Sequence, residues 1–363
     1  MKIAFYGSSL LSSYWNGAAT YYRGVLRALA GRGHEITFYE PDAFERQQHR
    51  DIDPPEWARS VVYPATEEAL CGVLAEAGRA DVVVKASGVG VFDRELLEGV
   101  IREARKDALT IFWDVDAAAT LDEMRADPAH PVRRALPDLD LVFTYGGGPP
   151  VIEAYRGFGA RECLPIYNAL DPQTHHPVPP DPVFACYLAF LANRLPDRER
   201  RVEEFFLRPA ALLPDERFLI GGNGWHDKPV PHNVHAIGHV GTAQHNAFNC
   251  TPLAVLNVAR DSMAEVGFSP ATRVFEAAGA GACLITDAWE GIGMFLEPNR
   301  EVLVARDGQD VAEQLAALTP NRAKAIGQAA LRRVLAEHTY ELRAAAVDAA
   351  LRDTKARLRE VAA

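Results

Sequence analysis

Short apolar runs alternate along the chain with segments that have the apolar spacing of a helix. In the first half, the runs that predict strands are Lys2–Tyr6, Glu35–Tyr39, Asp81–Val84, Leu109–Trp113 and Asp140–Thr144. Segments between these runs place apolar residues at i, i+3, i+4 and i+7, as at Tyr22, Val25, Leu26 and Leu29. Strands that alternate with helices predict a parallel sheet with right-handed crossovers.

A second series of the same kind fills the other half of the chain. Its predicted strands are Val183–Leu191, Arg217–Gly221, Leu253–Val258, Ala282–Thr286 and Glu301–Ala305. Residues 171–182 separate the two series, and their five prolines without apolar periodicity predict a linker. We therefore predict an α/β protein with two Rossmann-like domains, residues 1–170 and 183–335, followed by helices. A cleft between two such domains is where ligands are expected.

Composition narrows the classes of function. The 363 residues include 38 Lys and Arg against 49 Asp and Glu, which gives a formal net charge of −11. This balance argues against a general nucleic-acid binder, which needs a basic surface to displace counterions. No apolar run of about 18 residues predicts a membrane span, and the N-terminus does not resemble a signal peptide. Five cysteines without a Cys-x-x-Cys pair indicate reduced thiols and a cytoplasmic protein.

The first strand is followed by a long segment rich in glycine and serine that leads into a helix. Its backbone amides, near Gly17, are candidates for facing a ligand, because helix N-termini attract anions. The segment lacks the G-x-G-x-x-G spacing of a dinucleotide fingerprint, so NAD binding is disfavoured. The alternative is a plain loop between a strand and a helix.

Residues 269–286 form the segment with the most chemical information. Ser269 and Pro270 predict the cap and first residue of a helix whose amides suit a diphosphate. Arg273 in its first turn opposes the helix dipole, which is understandable if an anion binds there. Glu276 can accept two hydrogen bonds from a vicinal diol such as ribose. The alternative is an ordinary helix–strand unit with an exposed glutamate.

Two further groups of charged residues follow predicted strands. Asp114 and Asp116 lie just past the end of a strand, where either could act as a general base or position a sugar hydroxyl. Arg194 and Arg198 belong to an arginine-rich segment that could clamp phosphate oxygens. The alternatives are a helix cap followed by a solvated acid, and a solvated helix start with Arg–Glu pairs. We expect no metal, because the histidines at 226, 232, 235, 239 and 245 match no ligand motif.

These segments together resemble glycosyltransferases of the GT-B fold. Residues 273–281, RVFEAAGAG, are similar to the family segment (R)-x-(F/L)-E-A-x-A-x-G. The similarity continues at residues 287–292, 295–298, 301–304, 17–22, 33–38 and 193–198. It covers nearly the whole chain and is greatest to the CgeB-type branch of the group 1 glycosyltransferases, named after a spore maturation protein.

The resemblance implies two Rossmann-like domains facing a cleft, with residues 336–363 as a C-terminal helix packed back on the first domain. It also implies a nucleoside-diphosphate sugar donor, which needs no metal or other cofactor. Its ribose would be held by Glu276 and its diphosphate by Arg194 or Arg198 with the helix that includes Thr272 and Arg273. The acceptor would lie near Gly17 and Asp114.

One position departs from the family pattern. Related retaining enzymes often carry a second glutamate ahead of the ribose glutamate, with seven residues between the two. Phe268 occupies that position here. The sequence therefore leaves open both the contact to the donor sugar and the stereochemical outcome.

The resemblance favours a glycosyltransferase that moves a sugar to a small-molecule, glycan or protein acceptor. Two other functions fit the same fold. One is a nucleotide-sugar epimerase of the UDP-GlcNAc 2-epimerase type, which needs no acceptor. The other is a non-catalytic protein that binds a nucleotide sugar as a partner subunit. The oligomeric state is not indicated by the sequence.

Overall fold

The chain folds as two compact units in the computed structural model, which describes residues 1–14 and 16–362. Unit 1 comprises Met1–Tyr167 and Tyr340–Ala363, and unit 2 comprises Asn168–Thr339. Within the described residues, unit 1 contains a seven-stranded sheet and unit 2 a six-stranded sheet. The strand pairs within both sheets are parallel, as expected for strands that alternate with helices.

The sheet of unit 1 has the strand order β3-β2-β1-β4-β5-β6-β7. Its strands are β1 (Lys2–Tyr6), β2 (Glu35–Asp42), β3 (Ala58–Pro64), β4 (Val82–Ala86), β5 (Leu109–Asp114), β6 (Leu141–Thr144) and β7 (Cys163–Pro165). The central strands β4 and β5 are buried along their whole length and are mostly apolar, with Lys85 and Asp114 as buried charged exceptions. Their carboxyl ends form one edge of the sheet, where the loops that follow β1, β4 and β5 begin.

Helices connect these strands: α1 (Ala19–Gly31), α2 (Glu67–Ala75), α3 (Asp93–Glu103), α4 (Ala117–Ala126), α5 (Pro131–Ala135) and α6 (Gly148–Gly157). The apolar face predicted for α1 is the face that it buries, including Tyr22, Val25, Leu26 and Leu29. Burial of that face, rather than helix propensity, holds such a helix in place.

The sheet of unit 2 has the order β10-β9-β8-β11-β12-β13. Its strands are β8 (Leu188–Leu191), β9 (Phe218–Gly221), β10 (Val234–Gly238), β11 (Ala254–Asn257), β12 (Leu284–Asp287) and β13 (Leu303–Ala305). Its helices are α7 (Pro196–Val202), α8 (Arg208–Leu212), α9 (His245–Cys250), α10 (Asp261–Val266), α11 (Thr272–Gly279), α12 (Gly308–Ala316) and α13 (Pro320–Glu337). A π-helical turn, Glu203–Leu207, joins α7 to α8.

The last helix, α14 (Tyr340–Ala362), belongs to unit 1. It packs along α1, where Gly24 leaves room for the ring of Tyr340. Buried His34 also contacts buried Asp348 on α14, with 2.9 Å between His34 Nε2 and Asp348 Oδ1. Among the described residues, no helix combines the length and apolar character needed to cross a membrane.

The fold class predicted from the sequence is confirmed, with differences at individual elements. The predicted strand Val183–Leu191 is wrong in its first half, because Pro182–Phe184 forms a 3₁₀ turn. Three short or edge strands, β3, β7 and β10, were not predicted. Residues 171–182, predicted as a linker, are part of unit 2, where the Asp181 amide donates to Thr251 Oγ1 at 2.9 Å.

The approach of α1 to α14 gives a test of the fold. A Cβ at Gly24 would lie 2.4 Å from the Tyr340 ring, whereas one at Gly31, on the same helix, would meet nothing within 4 Å. We predict that Gly24→Ala lowers the free energy of unfolding by about 1–3 kcal/mol through overpacking. Gly31→Ala should leave it unchanged or raise it by up to about 1 kcal/mol. Urea denaturation measures both, and equal effects would contradict this packing.

Candidate functional site

Helix α11 of unit 2 begins without a side-chain cap beside the carboxyl end of β8. Ala271 occupies its N-cap position and has no side-chain oxygen to accept hydrogen bonds from first-turn amides. Thr272 is the first helical residue, and Arg273 donates from Nη2 to the carbonyl of Leu191, the last residue of β8. The start of α11 therefore combines a helix dipole without a side-chain cap and a cation.

The predicted start of this helix, with Ser269 as cap and Pro270 as first residue, is wrong. Both residues precede the helix in an irregular segment that tertiary hydrogen bonds hold away from helical geometry. Asn168 Nδ2 donates to the Pro270 carbonyl at 3.1 Å, and the Phe268 amide donates to the Glu290 carbonyl at 2.6 Å. Phe268 itself has a left-handed backbone with φ of 47°.

Arg198, Arg273 and Glu276 are close enough to influence one another electrostatically. Burial lowers the pKa of Arg273, Glu276 acts in the opposite direction, and Arg198 on α7 lowers it further. Two cations near one helix N-terminus repel each other unless an anion lies between them. The structure thus brings together three of the residues that the sequence named for nucleotide binding.

His245 lies in the same cluster, although the sequence named it only among five histidines that match no metal-ligand motif. Its Nε2 lies 3.1 Å from the Val240 carbonyl, and its ring centroid lies 6.5 Å from that of His175. Burial lowers the pKa of His245, Glu276 opposes this, and Arg273 lowers the pKa further. No sequence signal marked His245, because it is brought to α11 by packing between helices distant in sequence.

Arg194 does not join this cluster. Its Nη2 donates to Glu199 Oε1 at 2.7 Å, and Nζ of Lys228 contacts Glu199 and Glu203 at 2.5 Å each. Hydrogen bonds from Arg194 and Lys228 lower the pKa of Glu199 to about 2. Arg194 therefore forms an Arg–Glu pair with Glu199. Such pairing was the alternative to a phosphate clamp in the sequence analysis.

In unit 1, the loop near Gly17 is organised by a buried carboxylate. Glu40 accepts hydrogen bonds from the amides of Leu10 and Leu11 and from Ser9 Oγ. The amides of Leu10 and Leu11 donate to Glu40 and therefore do not face a ligand, contrary to the prediction for the amides of this loop. Gly17 is exposed, with open space where a Cβ would lie.

Asp114 and Asp116 have opposite environments. Asp114 is fully buried at the end of β5, where its carboxylate accepts from Ser87 Oγ at 2.8 Å, Thr120 Oγ1 at 3.1 Å and Tyr155 Oη at 2.5 Å. This carboxylate positions other side chains and does not face solvent. Asp116 is exposed and lies at the N-cap position of α4.

Asp116 lines a pocket of about 440 Å³ in unit 1. The pocket lies between α3, α4 and α5, next to the carboxyl ends of β4 and β5. Its polar lining includes Lys85, Ser87, Asp93, Asp116, Glu123 and His130. Over residues 1–14 and 16–362, no group of three His, Cys, Asp or Glu side chains has the proximity needed to hold a metal ion.

The contrast between the two aspartates predicts different effects on stability. Asp114→Ala should lower the free energy of unfolding by about 2–4 kcal/mol, because buried donors such as the Tyr155 hydroxyl lose their acceptor. Asp116→Ala should change it by less than about 1 kcal/mol. Chemical denaturation compares the two variants. A larger loss for Asp116→Ala would contradict the assignment of Asp114 as the structural residue.

One family model matches part of the chain. Residues 198–349 match a family model described as glycosyl transferase-like. That match contains the α11 segment and Arg198, whereas Arg194, Gly17, Asp114 and Asp116 lie outside it. No curated protein matches the sequence significantly.

Solved structures of glycosyltransferases share the whole fold. Sucrose-phosphate synthase from Thermosynechococcus elongatus aligns at 15% identity and a TM-score of 0.69, over 98% of this chain and 100% of that one. HepE from Anabaena, solved with UDP, aligns at 13% identity and a TM-score of 0.70, over 97% of this chain and 100% of that one. BGT of phage T4, solved with UDP-glucose, aligns at 11% identity and a TM-score of 0.62, over 97% of this chain and 99% of that one. The fold is GT-B, and with the family match it supports a group 1 GT-B glycosyltransferase.

Proposed function

We propose that this protein transfers a sugar from a nucleoside-diphosphate sugar to a hydroxyl-bearing acceptor, and that unit 2 binds the donor. The observation that carries the proposal is the uncapped start of α11, where Arg273 lies within electrostatic reach of Arg198 on α7. Glu276 follows within the same helix. This arrangement suits a ligand that joins a diphosphate to a ribose.

The diphosphate accounts for the positive charge at this site. Helix N-termini and guanidinium groups are the standard protein partners of phosphate oxygens. During transfer, the bond between the anomeric carbon and the diphosphate oxygen breaks, and its electron pair leaves with the nucleoside diphosphate. Arg198, Arg273 and the first amides of α11 would stabilise that developing charge. These groups supply what a metal ion supplies in other enzymes, so we propose a metal-independent reaction.

Glu276 accounts for recognition of the ribose. A carboxylate can accept hydrogen bonds from both hydroxyls of a vicinal diol. Glu276 is partly exposed, and the neighbouring Ala277, Ala278 and Gly279 are small and buried. Ser269, two residues before the N-cap residue Ala271, and Thr272, directly after it, would line the diphosphate. Phe268 replaces the second glutamate of related enzymes, so no carboxylate is assigned there to the donor sugar.

We propose a uridine diphosphate sugar as donor, because HepE and T4 BGT were solved with UDP or UDP-glucose. The acceptor would be a small molecule, a glycan or a protein. The similarity of the α11 segment supports placement in the CgeB-like branch. Free thiols at Cys71, Cys163, Cys186, Cys250 and Cys283 fit the reducing cytoplasm, which we propose as its location.

Binding of nucleotides by matched variants tests the donor site. Arg198→Ala should weaken UDP binding by about tenfold and leave uridine binding nearly unchanged, because only the diphosphate is charged. Glu276→Ala should weaken the binding of both UDP and uridine by about five- to tenfold, because both contain the ribose. Calorimetric titration measures these affinities.

Controls come from exposed residues of the same type. Arg200→Ala, on the same helix as Arg198, and Glu313→Ala, on α12, should bind both ligands like the unchanged protein. Equal losses of UDP and uridine in Arg198→Ala would contradict the phosphate assignment. Binding of UDP-glucose without any sugar transfer to candidate acceptors would favour the non-catalytic function, and interconversion of the donor sugar would favour the epimerase.

A further inference from the structure

We propose that Asp287, through its ion pair with Arg201, is a positioning residue that fixes α7 so that Arg198 meets the diphosphate of the donor. This inference rests on the proposed function, in which Arg198 binds that diphosphate. No comparison assigns a role to Asp287 or Arg201. The carboxylate lies at the carboxyl end of β12, and the guanidinium belongs to the helix that carries Arg198.

The ion pair between Asp287 and Arg201 is withdrawn from solvent. The side chain of Asp287 is fully buried, and that of Arg201 is 19% exposed. The distance from Arg201 Nη2 to Asp287 Oδ2 is 2.5 Å. Burial raises the pKa of Asp287, whereas the charge of Arg201 lowers it. The carboxylate therefore depends on the guanidinium for its charge, and loss of either partner leaves the other poorly compensated.

Further hydrogen bonds hold the carboxylate of Asp287 at the edge of the sheet. Its Oδ1 accepts from the Ala259 amide at 3.1 Å and from Thr286 Oγ1 at 3.2 Å. Asn257 Nδ2 in turn donates to Thr286 Oγ1 at 3.0 Å. Asn257 ends β11, and Ala259 lies in the segment between β11 and α10. Asp287 is thus held by two neighbouring strands, and a buried network of this kind is rigid.

Arg201 connects this fixed point to α7. Its Nη1 also lies 3.5 Å from Asp261 Oδ1 at the start of α10, and its guanidinium carbon lies 5.5 Å from the centre of the Phe205 ring. Helix α7 has seven residues, which is too short for a helix to be stable by itself. Tertiary contacts must therefore set its position, among them the burial of Val202 and the ion pair with Asp287.

The position of α7 determines where Arg198 lies. Arg198 precedes Arg201 by three residues, a spacing that places two side chains on the same face of a helix. It is near enough to Arg273 for its charge to lower the pKa of that guanidinium. A binding group has to be held within about 0.5 Å of its productive position. A rotation or shift of α7 would therefore weaken the contact between Arg198 and a diphosphate at the start of α11.

Titration calorimetry with UDP and uridine as probes tests the proposal. Asp287→Asn can keep an acceptor for the Ala259 amide but turns an amide donor toward Arg201, so it breaks the ion pair with little change in shape. We expect this variant to weaken UDP binding by about fivefold and to leave uridine binding nearly unchanged. Arg201→Gln should have the same two effects, because it removes the other partner of the pair.

Combination with Arg198→Ala distinguishes positioning from a general structural role. If Asp287 acts through Arg198, Asp287→Asn should cause no further loss of UDP affinity in a protein that already carries Arg198→Ala. A further fivefold loss in the double variant would overturn the proposal. Unchanged UDP affinity in both Asp287→Asn and Arg201→Gln, or equal losses of UDP and uridine, would also overturn it.

Asn233→Ala is the control for a loss of stability alone. Asn233 is buried at the opposite edge of the same sheet, just before β10. Its Nδ2 donates to the carbonyls of Ala210, Leu213 and Glu216. We expect Asn233→Ala to be less stable and to bind UDP like the unchanged protein. A loss of UDP affinity as large as that of Asp287→Asn would contradict a specific positioning role.

The same titrations separate this inference from the proposed function. Circular dichroism of each variant establishes that it is folded. If the unchanged protein does not bind UDP, the proposed function is wrong and the positioning role with it. If UDP binds and Arg198→Ala weakens it, but Asp287→Asn does not, the donor site stands and only the positioning role is wrong.

Discussion

The site in unit 2 depends on an electrostatic conflict at Arg273. This cation lies in the first turn of α11, where the helix dipole is unfavourable to positive charge. Burial lowers its pKa, and the nearby Arg198 does so as well. Glu276 acts in the opposite direction and favours the charged form of Arg273. An arrangement of this kind costs stability, and a bound diphosphate would remove the conflict by supplying the missing negative charge.

The carboxyl edge of unit 1 is organised in the opposite way. Glu40 and Asp114 are fully buried carboxylates, and each is surrounded by amide or hydroxyl donors. Such satisfied groups make the surrounding loops rigid. The charges of Glu40 and Asp114 are therefore neutralised by hydrogen bonds within the protein. Unit 1 presents a shaped, weakly acidic pocket, whereas unit 2 presents a concentration of positive charge.

The sequence predicted the fold well where its signals are local. Central strands such as β1, β4 and β5 are mostly apolar, and α1 has regular helical spacing. The strands that sequence analysis missed lack such signals: β3 is a partly exposed edge strand, and β7 has three residues. Long-range contacts account for the errors at the site. A hydrogen bond from Asn168 displaces the start of α11, and Lys228 helps to hold Arg194 and Glu199 in a separate ion-pair network.

A crystal structure of the protein with UDP tests the central claim most directly. We predict that diphosphate oxygens lie within hydrogen-bond distance of Arg273, Arg198 and the first amides of α11, with the ribose hydroxyls on the Glu276 carboxylate. A diphosphate bound elsewhere, with the start of α11 empty, would contradict the account. The positive charge collected around Arg273 would then have a structural rather than a ligand-binding explanation.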